Sequence, residues 1–402
     1  MTRTPPRTEV SRAARRARLA VGLLFLTNGA LLANILPRYP EIKAELGMDN
    51  ALYGLALAAF PTGAIVAGLT AAGLIRRFGS ARLETAGTIL TSLGLLGAAF
   101  APVSALFAAS LFTAGAMDSI TDVAQNAHGL RVQRRYGRSI INSFHALWSI
   151  GAVLGGSMSA AAIALQLPVS IHLSISAAAF SAVAIAALTL CLPGPDADTD
   201  AHATVDADAT SRLKPRRIAL LLAAFVLIGM AGAFIEDGGN SWATLYLRDS
   251  LDAPGALAAT GFIALVGAQF VGRLIGDGLV DRFGERAVAR AGGVVVVVGM
   301  GSALAFPSVP GTIAGFAAAG LGVATLIPAA MHEADSLPGL RPGSGLTIVS
   351  WLLRLGFLLG PPLVGLVSET AGLRTGLLIV PISGALVVLL AGALKPARRL
   401  SA

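Results

Sequence analysis

Read for hydropathy alone, the chain alternates apolar runs with short polar breaks. A helix of roughly 20 apolar residues crosses about 30 Å of hydrocarbon, and twelve runs reach that length. The first six begin near Leu19, Ala51, Leu83, Val103, Ser139 and Leu167. A polar stretch, "PGPDADTDAHATVDADATSRLKPRR", then intervenes, with too little apolar content to pack. Six further runs begin near Arg217, Pro254, Arg286, Ser308, Gly343 and Gly372. The pattern predicts an all-α integral membrane protein with twelve transmembrane helices in two six-helix halves. The expected organisation is a basic tail (1–18), a first bundle (19–192), a linker (193–216), a second bundle (217–394) and a short tail (395–402). The N-terminal basic stretch has the look of a signal-peptide n-region, but the apolar run beyond it continues to Pro37 with no convincing cleavage site. It is therefore read as a retained first helix.

Composition agrees. Of 402 residues, 55% are hydrophobic and only 13% charged, too few to cover a soluble domain of this size. The net charge of +8 does not point to nucleic acid, because the arginines lie in short clusters between apolar runs rather than on one face. One side of the alternation carries Arg76, Arg77, Arg82, Arg131, Arg134, Arg135, Arg138, Arg212, Arg282, Arg286, Arg290, Arg341, Lys395, Arg398 and Arg399. The opposite loops carry Arg38, Lys43, Arg248 and Arg374. That asymmetry predicts cytoplasmic N- and C-termini. The single cysteine, Cys191, excludes an internal disulfide and a cysteine-rich metal site.

Two loops match. "GLIRRFGSAR" starts at Gly73, after the second run, and "GLVDRFGERA" starts at Gly278, after the eighth. They share Gly, Leu, Arg, Phe and Gly at equivalent places, as an internal repeat of six-span halves would. With these loops in place, the chain resembles the major facilitator superfamily over essentially its whole length. The family's loop signature covers Gly73, Arg76, Arg77 and Gly79 in one half and Gly278, Asp281, Arg282 and Gly284 in the other. The second copy keeps the acidic residue as Asp281, whereas Arg76 replaces it in the first. The resemblance implies that these loops act as conformational latches, with the first latch altered. It also implies that the third, sixth, ninth and twelfth helices face lipid, and that the second, fifth, eighth and eleventh meet between the halves. "NSFHALWSIGAVLGG", "WATLYLRDSL", "GRLIGDGLVDRFG" and "GFLLGPPLVGL" further resemble the fucose-permease-like branch and its YbjJ-type bacterial inner-membrane transporters.

Ionisable side chains inside a membrane are costly, so each is a functional candidate. The third, ninth and twelfth runs read as free of charge, and the sixth holds only His172. Asp118 and Asp122 lie four residues apart in the fourth run and share a helix face. Two carboxylates so close in a low dielectric do not both ionise cheaply, so at least one is expected to hold a proton. Proton coupling is one role for the pair. Permanent pairing with Arg354, read as the one basic residue mid-span, is another, and direct substrate binding a third. A rise of 1.5 Å per residue puts Asp122, His145, Arg354 and Asp118 at about 12, 10, 16 and 18 Å from one surface. Asn28 and Gln269 fall at similar depth. His145 is a proton relay or a structural hydrogen-bonding residue. Trp148 and Trp351 line a cavity or pack between helices. Asn28, Asn34, Gln125, Asn126 and Asn240 supply neutral hydrogen-bonding groups, for a substrate or for neighbouring helices. Glu236, Asp237 and Asn240 read as lying nearer the opposite surface, with Trp242 and Tyr246 as interfacial anchors.

The sequence shows no Walker loop, no H-E-x-x-H and no G-x-S-x-G elbow, so neither an ATP-driven pump nor a familiar hydrolase is indicated. No cofactor and no metal are expected. The function expected is secondary active transport of a small polar, sugar-like solute by alternating access, with protons as coupling partner and the lipid bilayer as solvent. A monomer in a bacterial inner membrane is expected. Proton-driven efflux of drugs or metabolites is the alternative, and a non-transporting receptor the rival of another class.

Overall fold

The computed structural model describes residues 11–137, 140–194, 215–340 and 343–395. Most of the expected linker, both ends of the chain, and Arg138, Arg212, Arg341, Arg398 and Arg399 lie outside the described residues. Every regular element among the described residues is helical. Ten segments are long and apolar enough to cross a membrane: Arg12–Glu45, Asn50–Gly68, Ile141–Ala164, Val169–Leu188, Pro215–Asp249, Gly255–Phe283, Glu285–Ala305, Val309–Asp335, Ser344–Ala371 and Leu373–Ala393. Two further helices, Ser80–Ala99 and Ser104–Tyr136, are long enough but less apolar. With them the chain order gives segments one to twelve, in accord with the hydropathy pattern.

The third and fourth segments are less apolar for a physical reason. Segment three carries Arg82, Glu84 and three threonines, and Glu84, Thr85, Thr88 and Thr91 are all buried against neighbouring helices. Thr85 and Thr88 return their hydroxyls to the carbonyls of Ala81 and Glu84, which hides their polarity inside the helix. Segment three is therefore not free of charge as the hydropathy reading expects. Glu84 lies in the first turns of the helix and is fully buried. Segment four carries Asp118 and Asp122, and at 33 residues it is about 50 Å long, several turns more than the hydrocarbon requires.

The repeat is visible in backbone geometry. Gly79 separates the short helix Ala71–Phe78 from segment three with φ 83° and ψ 148°. Gly284 separates segments eight and nine with φ 81° and ψ 155°. Arg77 lies over the Phe78 ring and Arg282 over the Phe283 ring, each 5.2 Å from the centroid. The matched loops are thus one turn built twice, and a side chain at either glycine is strained.

Glycine also sets how closely helices approach. A Cβ on Gly29 would strike the Trp148 carbonyl, and one on Gly151 or Gly155 would strike the Leu26 or Ala30 carbonyl, which locks segments one and five together. Between the halves, Gly54 of segment two meets the Pro361 carbonyl of segment eleven, and Gly156 of segment five meets Phe262 of segment eight. The second, fifth, eighth and eleventh segments therefore form the junction between halves. Exposed aliphatic side chains such as Leu93, Ile175, Val298 and Ile382 lie on segments three, six, nine and twelve.

The junction is tight at one end only. At the end opposite the matched loops, the Tyr53 hydroxyl donates to the Ser241 carbonyl at 2.7 Å, and the Asn50 amide donates to Glu369 at 3.0 Å. The Trp242 ring stands edge-on to Tyr53 at 5.0 Å. Trp242 and Tyr246 are buried in this junction, not placed as interfacial anchors, because Tyr53 of the other half covers the first of them. At the matched-loop end Arg76, Arg77, Asp281 and Arg282 are exposed, and so, deeper in the segments, are Asp122 and Arg273.

Gly79→Ala and Gly284→Ala are expected to lower the melting temperature of the detergent-solubilised protein, each by the equivalent of about 1 kcal/mol or more. Gly278→Ala, in a helix interior with open space around it, should leave the melting temperature unchanged or raise it. Equal losses at all three positions would mean that packing, not backbone angle, selects these glycines.

Candidate functional site

Segment four presents its carboxylates to the space between the halves. Asp118 accepts a hydrogen bond from the Asn28 amide at 2.9 Å, and the Asn28 carbonyl accepts from Trp148 Nε1 at 2.8 Å. Segments four, one and five are thereby joined by one polar chain that ends on a carboxylate. Asn28 is 7% exposed, whereas Asp118 is half-buried, so only the last member of the chain borders the open space. One turn on, Asp122 is exposed and accepts from the Asn126 side chain at 3.0 Å.

The other walls bring basic side chains. His145 of segment five and Arg354 of segment eleven lie within electrostatic reach of Asp122, and Arg354 also of Asp118. Arg354 reaches across the junction to segment two, where a Cβ on Gly68 would lie 3.8 Å from its Nη1 and 2.9 Å from Ser119 Oγ. Arg273 of segment eight extends to Ser149 at 3.5 Å and lies within reach of His145. Arg354 is therefore not the one basic residue deep in a span. Arg273 sits in "GRLIGDGLV", and its place ten residues before the end of segment eight was the signal available.

Among the described residues no ion pair joins Arg354 or Arg273 to Asp118 or Asp122. Arg354 and Arg273 instead reach groups of the other half beside the carboxylates, Arg354 at Gly68 and Arg273 at Ser149. Carboxylates and arginines that are near one another without an ion pair leave polar atoms for a solute or water to engage.

The remaining candidates divide. Gln269 donates to Glu236 at 3.0 Å, a second polar pair, in the second half. Asp237 is buried, accepts from Ser241 at 2.8 Å and belongs to the closed end. Asn240 has a buried side-chain oxygen with no partner. Asn34 is fully buried, donates to the Ala30 carbonyl and bonds His172 at 2.9 Å, so it ties segment one to segment six away from the gap. Gln125 is buried with both amide atoms unpartnered. Trp351 is 47% exposed. A basic cleft of about 870 Å³ lies elsewhere, among Arg16, Arg76, Arg77, Arg82 and Arg131 at the matched-loop end, and holds none of this polar group. Near it, burial and then the neighbouring Glu84 push the Cys191 thiol up to about 12, so it is no thiolate. Among the described residues no group of three or more His, Cys, Asp or Glu is placed to hold a metal ion.

Two pseudo-equivalent helical halves, closed at one end around a polar gap, are a transporter's architecture. The model of the Major Facilitator Superfamily matches residues 21–278. The chain belongs to the major facilitator superfamily. It is 29% identical over 92% of its length to 96% of "Uncharacterized transporter y4wD" of Sinorhizobium fredii (strain NBRC 101917 / NGR234). Among solved structures, the nucleoside transporter NupG aligns with TM-score 0.71 and 16% identity, over 95% of this chain and 98% of that one. The D-xylose-proton symporter aligns with TM-score 0.68 and 16% identity, over 96% and 98%. These structural likenesses show the shared fold. The chain is thus a multi-pass membrane transporter of small molecules, and its family and relatives are transporters, not enzymes.

Asn28→Ala removes the bridge and leaves Trp148 Nε1 and Asp118 without these partners. It should destabilise the protein by about 1–3 kcal/mol, read as a lower melting temperature. Trp148→Phe, which frees only one acceptor, should cost less at that bond. A neutral Asn28→Ala would show that water replaces the chain.

Proposed function

We propose that this transporter carries a small polar, hydroxylated solute by alternating access, and that Asp118 and Asp122 couple its movement to protons. The observation that carries the reading is the carboxylate pair, one turn apart, bordering a gap that also receives His145, Arg273 and Arg354. A carboxyl that opens to water on one side, and becomes enclosed when the halves rock, exchanges its proton with one compartment at a time. Arg354 at its edge keeps the ionised form tolerable when a proton leaves.

Asn28, Asn126, Gln269 and Trp148 supply donors, acceptors and an aromatic face of the kind that binds hydroxylated rings. The resemblance to the fucose-permease-like branch supports a sugar-like solute. So do the neighbours named for a nucleoside and for D-xylose with protons. The arginine asymmetry supports cytoplasmic termini in a bacterial cell membrane, which makes the matched-loop end cytoplasmic and the present state inward-open. In this state the matched loops stand apart. Asp281 and Arg282 would engage only when the cytoplasmic end closes, with Arg76 weakening the equivalent contact in the first half. The two bundles, 19–192 and 217–394, act as the rocking bodies within a single chain.

The test is thermal stability of the purified protein against neutral sugars and nucleosides, acidic metabolites and lipophilic cations, at two pH values. A ligand at 100 times its Kd stabilises by about 2.7 kcal/mol. A neutral hydroxylated solute should raise the melting temperature to an extent that depends on pH, and Asp118→Asn with Asp122→Asn should abolish that dependence. In proteoliposomes the same variants should retain exchange of the solute but lose its accumulation against a gradient. Stabilisation by lipophilic cations alone would replace this reading with efflux. Stabilisation by anions alone, lost in Arg354→Gln, would replace it with an acid carrier.

A further inference from the structure

Asp237 is a buried carboxylate that the proposed cavity does not use. It lies on segment seven at the closed end, 7% exposed, where the two halves are in contact. Its Oδ1 accepts from Ser241, and its Oδ2 has no hydrogen-bond partner. The groups facing it are few. Glu236 is beside it on the same helix. Tyr39 of segment one and Tyr53 of segment two are within electrostatic reach from the other half. Segment eight offers Gln269, whose amide is occupied by Glu236, and segment twelve brings Val380 alongside Gly238. Among the described residues no Lys, Arg or His forms an ion pair with it.

Segment eleven supplies the remaining wall. A Cβ on Gly360 would lie 2.7 Å from Asp237 Oδ2, so the oxygen is pressed against the helix backbone and no cation fits between them. Pro361 and Pro362 follow inside that helix. Neither has an amide hydrogen, so the carbonyls of Phe357 and Leu358, four residues back, lack their helical donors. Segment eleven therefore offers this oxygen no amide donor at Pro361 or Pro362. An ionised carboxylate enclosed this way is costly. A carboxylic acid is far less so, since it carries no charge to desolvate.

We propose that Asp237 is a proton-binding site of the gate at this end: it takes up a proton as the two halves close over it and releases it when the gate opens to water. The site is separate from Asp118 and Asp122, so its protonation senses the compartment on the closed side rather than that on the open side. Closure is linked to protonation, and therefore low pH favours the closed gate and high pH the open one. The Tyr53 contact with Ser241 and Trp242, one turn from Asp237, is what the proton lets form.

The experiment measures the gate directly. Spin labels at Val103→Cys and Phe306→Cys, exposed positions before segment four and after segment nine, report the separation of the halves at that end in a Cys191→Ser background. Double electron–electron resonance in nanodiscs is recorded across pH. In the otherwise unchanged protein the short-distance population should grow as pH falls. Asp237→Asn, which keeps a donor and cannot ionise, should hold the gate closed at every pH. Ser241→Ala removes the bond that favours the ionised form, so its transition should move to higher pH, with a several-fold larger closed population at the original midpoint. A merely structural Ser241 would loosen the gate instead. The Asp118→Asn, Asp122→Asn double variant should keep the response, which separates this site from the coupling pair. A pH-independent distance distribution in the starting protein overturns the proposal, as does an unchanged transition in Asp237→Asn.

Discussion

A polar side chain inside hydrocarbon has to find a partner, a proton or a path to water, and the organisation of this protein follows from how each one does so. Asn34 is paired with His172, and Thr85 and Thr88 of segment three fold back onto their own helix. Such groups are satisfied within one half and do not respond to movement between halves. Asp118, Asp122, His145, Arg273 and Arg354 are different. They border the gap between the halves, so their surroundings change whenever the gap opens or closes. Asp237 occupies the complementary position, satisfied on one oxygen and sealed on the other by the opposite gate.

Glycine gives this arrangement its mechanical form. Segments one and five approach until a Cβ on Gly29, Gly151 or Gly155 would strike backbone, which makes the first half a rigid support for the Asn28–Asp118–Trp148 chain. The contacts between halves, by contrast, are concentrated at one end. Rigid bodies joined at one end can rock, and the polar gap lies where rocking changes exposure most. The paired glycine turns at Gly79 and Gly284 show that the two bodies are versions of one unit.

Much of this was legible in the sequence because membrane thickness and the need for backbone hydrogen bonds restrict the options so severely. Run length gave the segments, the loop repeat gave the halves, and the carboxylate pair drew attention to segment four. What escaped was rotation and register. Asn28 and Asn34 look alike in a string, yet six residues place them about 120° apart around the helix, so one meets Asp118 and the other His172. Trp242 sits where an interfacial belt would be expected, but Tyr53 arrives from the other half to bury it. Glu84, one residue inside the third run, and Arg273, ten residues before the end of segment eight, are both visible in the sequence, but their burial and partners are not. For Asn28, Asn34 and Trp242 the deciding neighbour is distant in sequence, so no local pattern discloses it.

The central claim is that the segment four pair holds a proton at the gap between the halves. Infrared difference spectroscopy of the reconstituted protein, titrated through neutral pH, reads protonated carboxyl groups directly. The account predicts a carboxylic acid band that is lost as pH rises and is missing from the Asp118→Asn, Asp122→Asn double variant. Identical carboxyl bands in the two proteins at every pH would contradict it, since the pair would then stay ionised as a fixed structural charge.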